Sequence, residues 1–236
     1  MIILGIESSA VSAGAAVVKD GKLMGECYLN VGLTHSETLM QLVESCLKNA
    51  GLTVAQVDAF AVAAGPGSFT GVRIGISAVK GMAFGGDKPV YGVSTLEALA
   101  CGALIEGKLI VPVMDARCRQ VYTAAFVYEN GSLVRRAEDA ALPLDTLYAF
   151  LKEQNLPVLL LGDGAKLTGA FLREKNDVSF GLFPEIFQYQ HASGVAFAAY
   201  MRYNNGEKGL SGDALLPSYL RLPQAERERM KGEQKK

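Results

Sequence analysis

One pattern of strands and turns occurs twice along this chain, and it constrains the fold more than any single motif. In the first copy an apolar strand ends at Glu7 and leads into a hairpin with an Asp-Gly turn at 20–21. In the second copy an apolar strand ends at Asp115, and its hairpin has an Asn-Gly turn at 130–131. Both dipeptides suit the positive φ angles of tight hairpin turns. The repeat predicts two related halves with a cleft between them.

Each copy continues with a second apolar strand, predicted at 59–64 and 158–161, that ends in glycine-rich sequence. We expect the glycines and the two carboxylates to meet at the cleft. The candidate nucleotide or anion site there comprises Glu7, Ser8, Ser9, Gly65, Gly67, Asp115, Gly162 and Gly164. The loop 65–71 precedes a predicted helix, whose free N–H groups can hold an anion, but it lacks the lysine of a P-loop. The two carboxylates either orient a bound metal or water, or cap turns.

Composition limits the classes of function. Among 236 residues the formal net charge is −1, so the basic excess typical of a protein that grips nucleic acid by itself is absent. The four cysteines are far apart and favour reduced thiols in the cytoplasm. No apolar run approaches the roughly 18 residues that a membrane-spanning helix needs. The chain has two histidines, His35 and His191, so few imidazole groups are available for a metal site or a catalytic triad.

The two helices of the first half are the clearest local predictions. Thr34 and Glu37 have capping-box spacing and predict a helix that ends at Gly51. A second helix is predicted from about Thr70 to Phe84, and small residues form two stripes along it. Glycine inside a helix costs about 1 kcal/mol relative to alanine, so close backbone approach must compensate. Either a partner chain covers one flank of this helix, or the rest of the same domain covers both.

Further elements complete the sequence-based fold. We predict a strand at 89–93 and helices at 94–104, 144–154, 165–173 and 192–203. From residue 224 onward the chain is almost entirely charged or polar, which predicts a flexible tail.

Three segments carry a resemblance to a known family. The stretch 65–75, Gly-Pro-Gly-Ser-Phe-Thr-Gly-Val-Arg-Ile-Gly, together with 6–9 and 34–37, resembles the TsaB (YeaZ) family of the bacterial tRNA threonylcarbamoyladenosine pathway. The likeness is dense up to about Ala100, thin through the second half, and returns at 217–221. It implies an α/β protein with the duplicated actin-like ATPase (ASKHA) fold, in which two related lobes each hold a mixed sheet and flanking helices.

The resemblance also implies a division of the chain. We expect a first lobe at 1–104, a second lobe at 105–221 and a charged tail at 222–236. The helix at 192–203 is a candidate to pack back on the first lobe.

The resemblance further implies a protein without catalytic residues. TsaB is a shortened paralogue of TsaD, the transferase, in which an Asn-His-Leu-Glu-Gly-His segment supplies two histidine ligands to a metal. This chain reads Ser-Thr-Leu-Glu-Ala-Leu at 94–99, so the ligand positions are Thr95 and Leu99, and neither replaces imidazole. No metal and no cofactor is expected, although ATP or ADP at the partner interface or in the cleft is left open.

The partners implied by the resemblance are a TsaD-like enzyme, a TsaE-like ATPase and, when the protein is alone, a second copy. Contact with tRNA would come mainly through the complex. TsaB-like proteins pair through their two amino-terminal helices. The interface candidates are His35, Leu39, Leu42, Arg73, Ile74, Ser77, Ala78 and Gly81.

Two other functions remain as alternatives. An autonomous nucleotide hydrolase or small-molecule kinase of the actin-like fold would use Glu7 and Asp115. A metallopeptidase would need metal ligands, and the small number of histidines argues against it.

Overall fold

The computed structural model describes residues 1–221, and the charged segment 222–236 lies outside the described residues. The first lobe contains the strands β1 (Ile2–Glu7), β2 (Ala13–Lys19), β3 (Lys22–Leu29), β4 (Ala59–Gly65) and β5 (Val90–Ser94), and the helices α1 (His35–Asn49), α2 (Phe69–Phe84) and α3 (Thr95–Cys101). The second contains β6 (Leu109–Asp115), β7 (Gln120–Glu129), β8 (Ser132–Pro143), β9 (Val158–Leu161) and β10 (Phe180–Leu182), and α4 (Leu144–Lys152), α5 (Ala165–Lys175) and α6 (Ala192–Asn204).

The two halves repeat one topology, which confirms the duplication. Each runs through three strands, a helix, a strand, a helix, a strand and a helix. The sheet orders are β3-β2-β1-β4-β5 and β10-β9-β6-β7-β8, which match when the second is taken in reverse. In both, an antiparallel hairpin pairs with the first strand, and the fourth strand joins that strand in parallel. The turn residues at 20–21 and 130–131 all have positive φ, as their Asp-Gly and Asn-Gly sequences predict.

Apolar side chains on both faces of each sheet build the layers. One face of the first sheet packs against α1 and α2, and its other face packs against α6. One face of the second sheet packs against α4 and α5, and its other face contacts α3, which therefore lies between the lobes. Helix α6 lies so close to β1 that a Cβ on Gly5 would be 2.7 Å from the carbonyl oxygen of Ala192. The carboxyl-terminal helix of the second repeat thus covers the first sheet.

Ion pairs near α3 connect the two lobes. Glu97 of α3 contacts Arg202 of α6 at 2.5 Å and Arg135 of β8 at 3.6 Å. Arg135 also contacts Asp139 at 2.5 Å, and Ser94 donates a hydrogen bond to the same carboxylate. All four charged side chains are half-buried, which makes this network more effective than exposed pairs.

Three local predictions need correction. Helix α1 begins beside Thr34, but the capping box is wrong: the Glu37 N–H donates to the Thr34 carbonyl at 3.0 Å, and the Thr34 hydroxyl caps nothing within the described chain. Helix α3 ends at Cys101 rather than at 104, because the chain turns at Gly102. Strand β10 was not predicted, since three residues are too few to show an alternating pattern.

Candidate functional site

Glu7 ends β1 but does not face the cleft. Its side chain is fully buried, and its Oε1 accepts hydrogen bonds from the Ser9 N–H at 2.6 Å and the Ser9 hydroxyl at 2.5 Å. Its Oε2 is buried without a hydrogen-bond partner among residues 1–221. Burial raises the pKa of Glu7 to about 7, although the bonds from Ser9 oppose the change. The prediction that this carboxylate points into the cleft is therefore wrong, and Glu7 instead holds the turn that follows β1.

The turn after β1 packs tightly against the start of α2. The Ser8 hydroxyl donates to the Gly71 carbonyl at 2.9 Å, and the Ser68 N–H donates to the Ser9 carbonyl at 2.6 Å. A Cβ on Gly67 would collide with the Ser9 carbonyl oxygen, and one on Gly71 would collide with that of Ser8. These glycines allow two backbone segments to touch, which explains the family motif in physical terms.

The second lobe presents its carboxylates differently. Asp115 ends β6, is exposed, and accepts a hydrogen bond from the Arg117 N–H at 2.7 Å. Asp163 lies on the loop after β9, where Gln190 donates to it at 3.3 Å, and burial raises its pKa. Gly162 has a φ of +101°, and a Cβ there would collide with the Val113 carbonyl oxygen. The lack of a side chain at Gly162 thus allows the loop after β9 to pack directly against the backbone of β6.

A cavity of about 470 Å³ lies between the lobes, within the usual range for small-molecule sites. Of the candidate cleft residues, Ser9, Gly67 and Asp115 line it, and Glu7, Ser8, Gly65, Gly162 and Gly164 do not. Sequence analysis missed several lining residues: Phe69, Arg117, Tyr122, Asp163, Ser218, Tyr219 and Arg221. The returning family likeness at 217–221 was the one signal that pointed to this wall.

The cavity suits the metal-bound nucleotide of the actin-like fold poorly. Glu7 and Asp115 cannot act together on one ligand, because Glu7 is enclosed by its own turn. Within residues 1–221 no three His, Cys, Asp or Glu side chains are grouped to hold a metal ion. The positions that resemble the metal ligands of the transferase are core positions here. Thr95 is fully buried, and Leu99 packs with apolar residues of the second sheet.

The two histidines have structural contacts. His35 Nε2 lies 2.7 Å from the Ala10 carbonyl oxygen, which ties α1 to the turn after β1. His191 stacks on Tyr28 with ring centroids 4.4 Å apart, and its Nδ1 lies 3.3 Å from a carboxylate oxygen of Glu26. The Ser193 hydroxyl donates to the same carboxylate at 3.0 Å, so it is not paired with the imidazole as a catalytic serine would be.

A second concave surface lies on the outside of the first lobe, between α1 and α2. We call it the α1/α2 groove; it has a volume of about 630 Å³. It is lined by His35, Ser36, Leu39, Met40, Phe69, Thr70, Arg73, Ile74, Ser77 and Ala78. Every interface candidate except Leu42 and Gly81 is among these residues. Leu39 is only 1% exposed, because it also packs in the core beneath α1, so it forms the floor of the groove.

The glycines of α2 divide into two groups. Gly71 and Gly75 face inward, and a Cβ on Gly75 would lie 2.5 Å from the Ser8 hydroxyl oxygen. Gly81 and Gly85 face open space, with no atom within 4 Å of a Cβ. The same domain therefore covers the inner stripe, as both interpretations of this helix allow, and the interpretation in which the domain covers both flanks is not borne out among residues 1–221. The outer stripe has no cover among the described residues.

The two repeated lobes around a cleft define the actin-like ATPase fold. The ROK hexokinase of Thermus thermophilus shares this fold, with a TM-score of 0.51 at 15% identity over 87% of this chain and 100% of that one. YeaZ from Pseudomonas aeruginosa is far more similar, with a TM-score of 0.75 at 27% identity over 93% of this chain and 99% of that one.

Sequence comparison narrows the class to a family. A family model described as "TsaD: tRNA N6-adenosine threonylcarbamoyltransferase" matches residues 31–227. The tRNA threonylcarbamoyladenosine biosynthesis protein TsaB of Bacillus subtilis is 32% identical over 228 residues, which cover 96% of each chain. The chain belongs to the TsaB (YeaZ) family. The resemblance deduced from the motifs at 6–9, 34–37 and 65–75 is confirmed.

The cytoplasmic location expected from the sequence remains a prediction. Among the helices within 1–221, none has both the length and the apolar character that crossing a bilayer demands.

Proposed function

We propose that this protein is a non-catalytic scaffold and activator in tRNA threonylcarbamoyladenosine synthesis. It would pair with a TsaD-like transferase through the α1/α2 groove and take part in a complex with a TsaE-like ATPase. Alone, it would form a homodimer through the same surface. Membership of the TsaB family supports the pathway, because the curated relatives are named for it. The proposed role requires no metal or nucleotide held by this chain.

The α1/α2 groove is the observation that carries this proposal. Its lining is mostly apolar, and Met40 on its rim is 49% exposed. Phe84, at the end of α2, is 88% exposed. Exposed apolar side chains such as those that line the groove are typical of a protein interface, and Phe84 lies outside that lining. The small side chains of Ser77 and Ala78 allow a helix of a partner to approach closely, to about 8–10 Å between axes.

The absence of catalysis is supported by the two core positions in α3. Thr95 and Leu99 are buried among apolar residues, where a catalytic metal would have neither ligands nor access to substrate. The net charge of −1 fits a protein that leaves most contact with tRNA to its partners.

Reconstitution tests the proposed role. The transferase, the ATPase and the enzyme that makes the threonylcarbamoyl adenylate would be combined with tRNA, with and without this protein. We expect modified adenosine to form only in its presence, and the protein to bind the transferase in a fixed ratio during size-exclusion chromatography. Full modification in its absence would contradict the proposal.

The cavity between the lobes keeps an autonomous nucleotide hydrolase as the alternative function. Its carboxylates Asp115 and Asp163 are the observation in favour. Calorimetry with Mg-ATP, followed by a phosphate-release assay on the isolated protein, distinguishes the two. We expect no turnover. Hydrolysis that disappears in Asp115→Asn would favour the alternative.

A further inference from the structure

The last described residues of the chain line the cavity between the lobes. After a 3-10 turn at Gly212–Ala214, the chain has no regular secondary structure as far as residue 221. The Ser218 N–H donates to the Ala64 carbonyl at 2.7 Å, and the Ser218 carbonyl lies against Gly65, whose φ is +121°. We call residues 217–221 the strap. Its first part is fixed to the end of β4 in the first lobe.

The middle of the strap builds a stack with two side chains of α2. The Tyr219 ring lies on the Phe69 ring, with centroids 4.8 Å apart and planes inclined by 26°. Arg73 Nε donates to the Tyr219 hydroxyl at 2.9 Å, and the Arg73 guanidinium carbon lies 3.8 Å from the centroid of Phe69. Aromatic stacking and cation–π contacts each restrict the side chains that make them. Tyr219 therefore helps to fix the conformations of Phe69 and Arg73.

These two side chains belong to the α1/α2 groove. Phe69 lines both the groove and the cavity between the lobes, and Arg73 lines the groove. Tyr219 lines the cavity and not the groove. One aromatic ring thus separates the two concave surfaces, and the strap holds that ring from the cleft side.

The end of the strap reaches the second lobe. Arg221 Nη1 donates to the Ala116 carbonyl at 2.6 Å, and both residues line the cavity. The next three residues, Arg117, Cys118 and Arg119, have φ angles of 62°, 56° and 56°. Consecutive non-glycine residues in the left-handed region are strained and need surrounding contacts to persist. The bond from Arg221 holds Ala116, the residue immediately before this segment.

We propose that the strap couples closure of the cleft to the shape of the α1/α2 groove. In the closed arrangement Arg221 holds the second lobe while Tyr219 orders Phe69 and Arg73 for the partner. Side chains ordered in advance lower the entropic cost of association, so the closed cleft favours partner binding. Linkage is reciprocal, and partner binding therefore favours the closed cleft. This inference rests on the proposed function, in which the groove binds the TsaD-like transferase.

Affinity for the transferase and hydrogen exchange at 116–120 test the coupling. Without its aromatic ring, Tyr219→Ala is expected to bind about three- to tenfold more weakly, the value of one aromatic pair. Tyr219→Phe keeps the ring and loses the bond from Arg73, so its affinity should lie between those of wild type and Tyr219→Ala. In the wild type, partner binding should slow exchange at 116–120. Arg221→Ala should remove most of that slowing, because the bond that ties the strap to Ala116 is lost.

The outcomes separate this inference from the pairing proposal. A charge in the centre of the groove, Ala78→Glu, reports on the groove alone. If Ala78→Glu loses binding while Tyr219→Ala binds as tightly as wild type, the strap inference is wrong and the pairing proposal stands. If Ala78→Glu binds normally, the pairing proposal itself fails. Circular dichroism and thermal melting check folding. If Tyr219→Ala unfolds, the test is hydrogen exchange at 116–120 in Arg221→Ala. If partner binding slows that exchange as strongly as it does in wild type, the coupling is wrong.

Discussion

Helices α1 and α2 of the first lobe occupy the same place on their sheet as α4 and α5 of the second, and their outer surfaces differ in charge. Near α4 and α5, Lys152 contacts Asp177 at 2.9 Å and Lys175 contacts Asp145 at 3.8 Å. The equivalent surface of the first lobe is the largely apolar α1/α2 groove. The duplicated fold thus builds the same kind of hydrophobic core twice. The outer faces of the helices are not constrained by that core, so they can become either a solvated surface or an interface.

The strand-end carboxylates show a second difference between the lobes. Glu7 is enclosed by its turn and has a pKa raised to about 7, whereas Asp115 is exposed at the cavity. Equivalent positions in the repeat therefore differ in role. Glu7 organises the loop that supports α1 and α2, whereas Asp115 is accessible to a ligand or to solvent.

The strongest test of the first comparison places the same charge on both helix pairs. Ala78→Glu should abolish pairing, with a loss of at least about 100-fold, because it places an unpaired carboxylate in an apolar interface. Ala170→Glu, on the exposed side of α5, is the matched control and should pair normally. Analytical ultracentrifugation and titration with the transferase measure both. Equal behaviour of the two variants would remove the distinction between the lobes.

The second test concerns the carboxylates and gives a pH dependence. Glu7 has an ordinary pKa of 4.5 when unfolded and about 7 when folded. Between these values the folded state binds more protons, so the contribution of Glu7 to stability is greatest below pH 4.5 and falls by about 3 kcal/mol as pH rises to 7. Glu7→Gln resembles the protonated form and should lose this dependence.

Urea denaturation at pH 5 and pH 8 measures the effect. The free energy of unfolding of Glu7→Gln should exceed that of wild type at pH 8, by up to about 3 kcal/mol, and differ less at pH 5. Asp115→Asn, the matched change in the second lobe, should alter stability little at either pH because the side chain is exposed. A Glu7→Gln variant that is less stable than wild type at pH 8 would show that the bonds from Ser9 stabilise the ionised carboxylate by more than burial destabilises it.

A smaller effect should separate the inner stripe of α2 from its outer stripe. Gly75→Ala would press on the Ser8 hydroxyl and on Val62, and should destabilise the fold by about 1–2 kcal/mol despite the gain in helix propensity. Gly81→Ala meets open space and should stabilise it by about 0.5–1 kcal/mol. Thermal melting of the two variants shows whether each substitution stabilises or destabilises the fold. If both change stability in the same direction, the description of α2 as having one covered and one open stripe is wrong.

The smallest effect is expected on the charged surface of the second lobe. Lys152→Met removes the ion pair with Asp177, but both side chains are well solvated and the pair is screened by salt. The melting temperature and the affinity for the transferase should be unchanged within error. A measurable loss of pairing would mean that α4 and its surroundings also contact the partner.

Local sequence patterns were sufficient for the repeat and for most elements. The Asp-Gly and Asn-Gly turns, the apolar strands and the helix at 69–84 follow from residue order and spacing, because backbone preference and hydrophobic periodicity act over a few residues. The family motif at 65–75 was equally visible. The possibility of a partner on one flank of α2 followed from the two stripes of small residues along that helix, and the groove itself was not predicted.

The orientation of side chains between distant segments required the tertiary structure. Glu7 ends its strand as the sequence indicates, yet whether it faced the cleft depended on Ser9 and on the packing of Ser8 against α2, which is distant along the chain. The same is true of Tyr219, whose ring meets Phe69 only after the whole chain has folded. The sequence by itself determined two repeated lobes and a family. Only long-range packing decided which carboxylate is buried and which residues form the wall of the cleft, since burial is set by neighbours that spacing along the chain does not reveal.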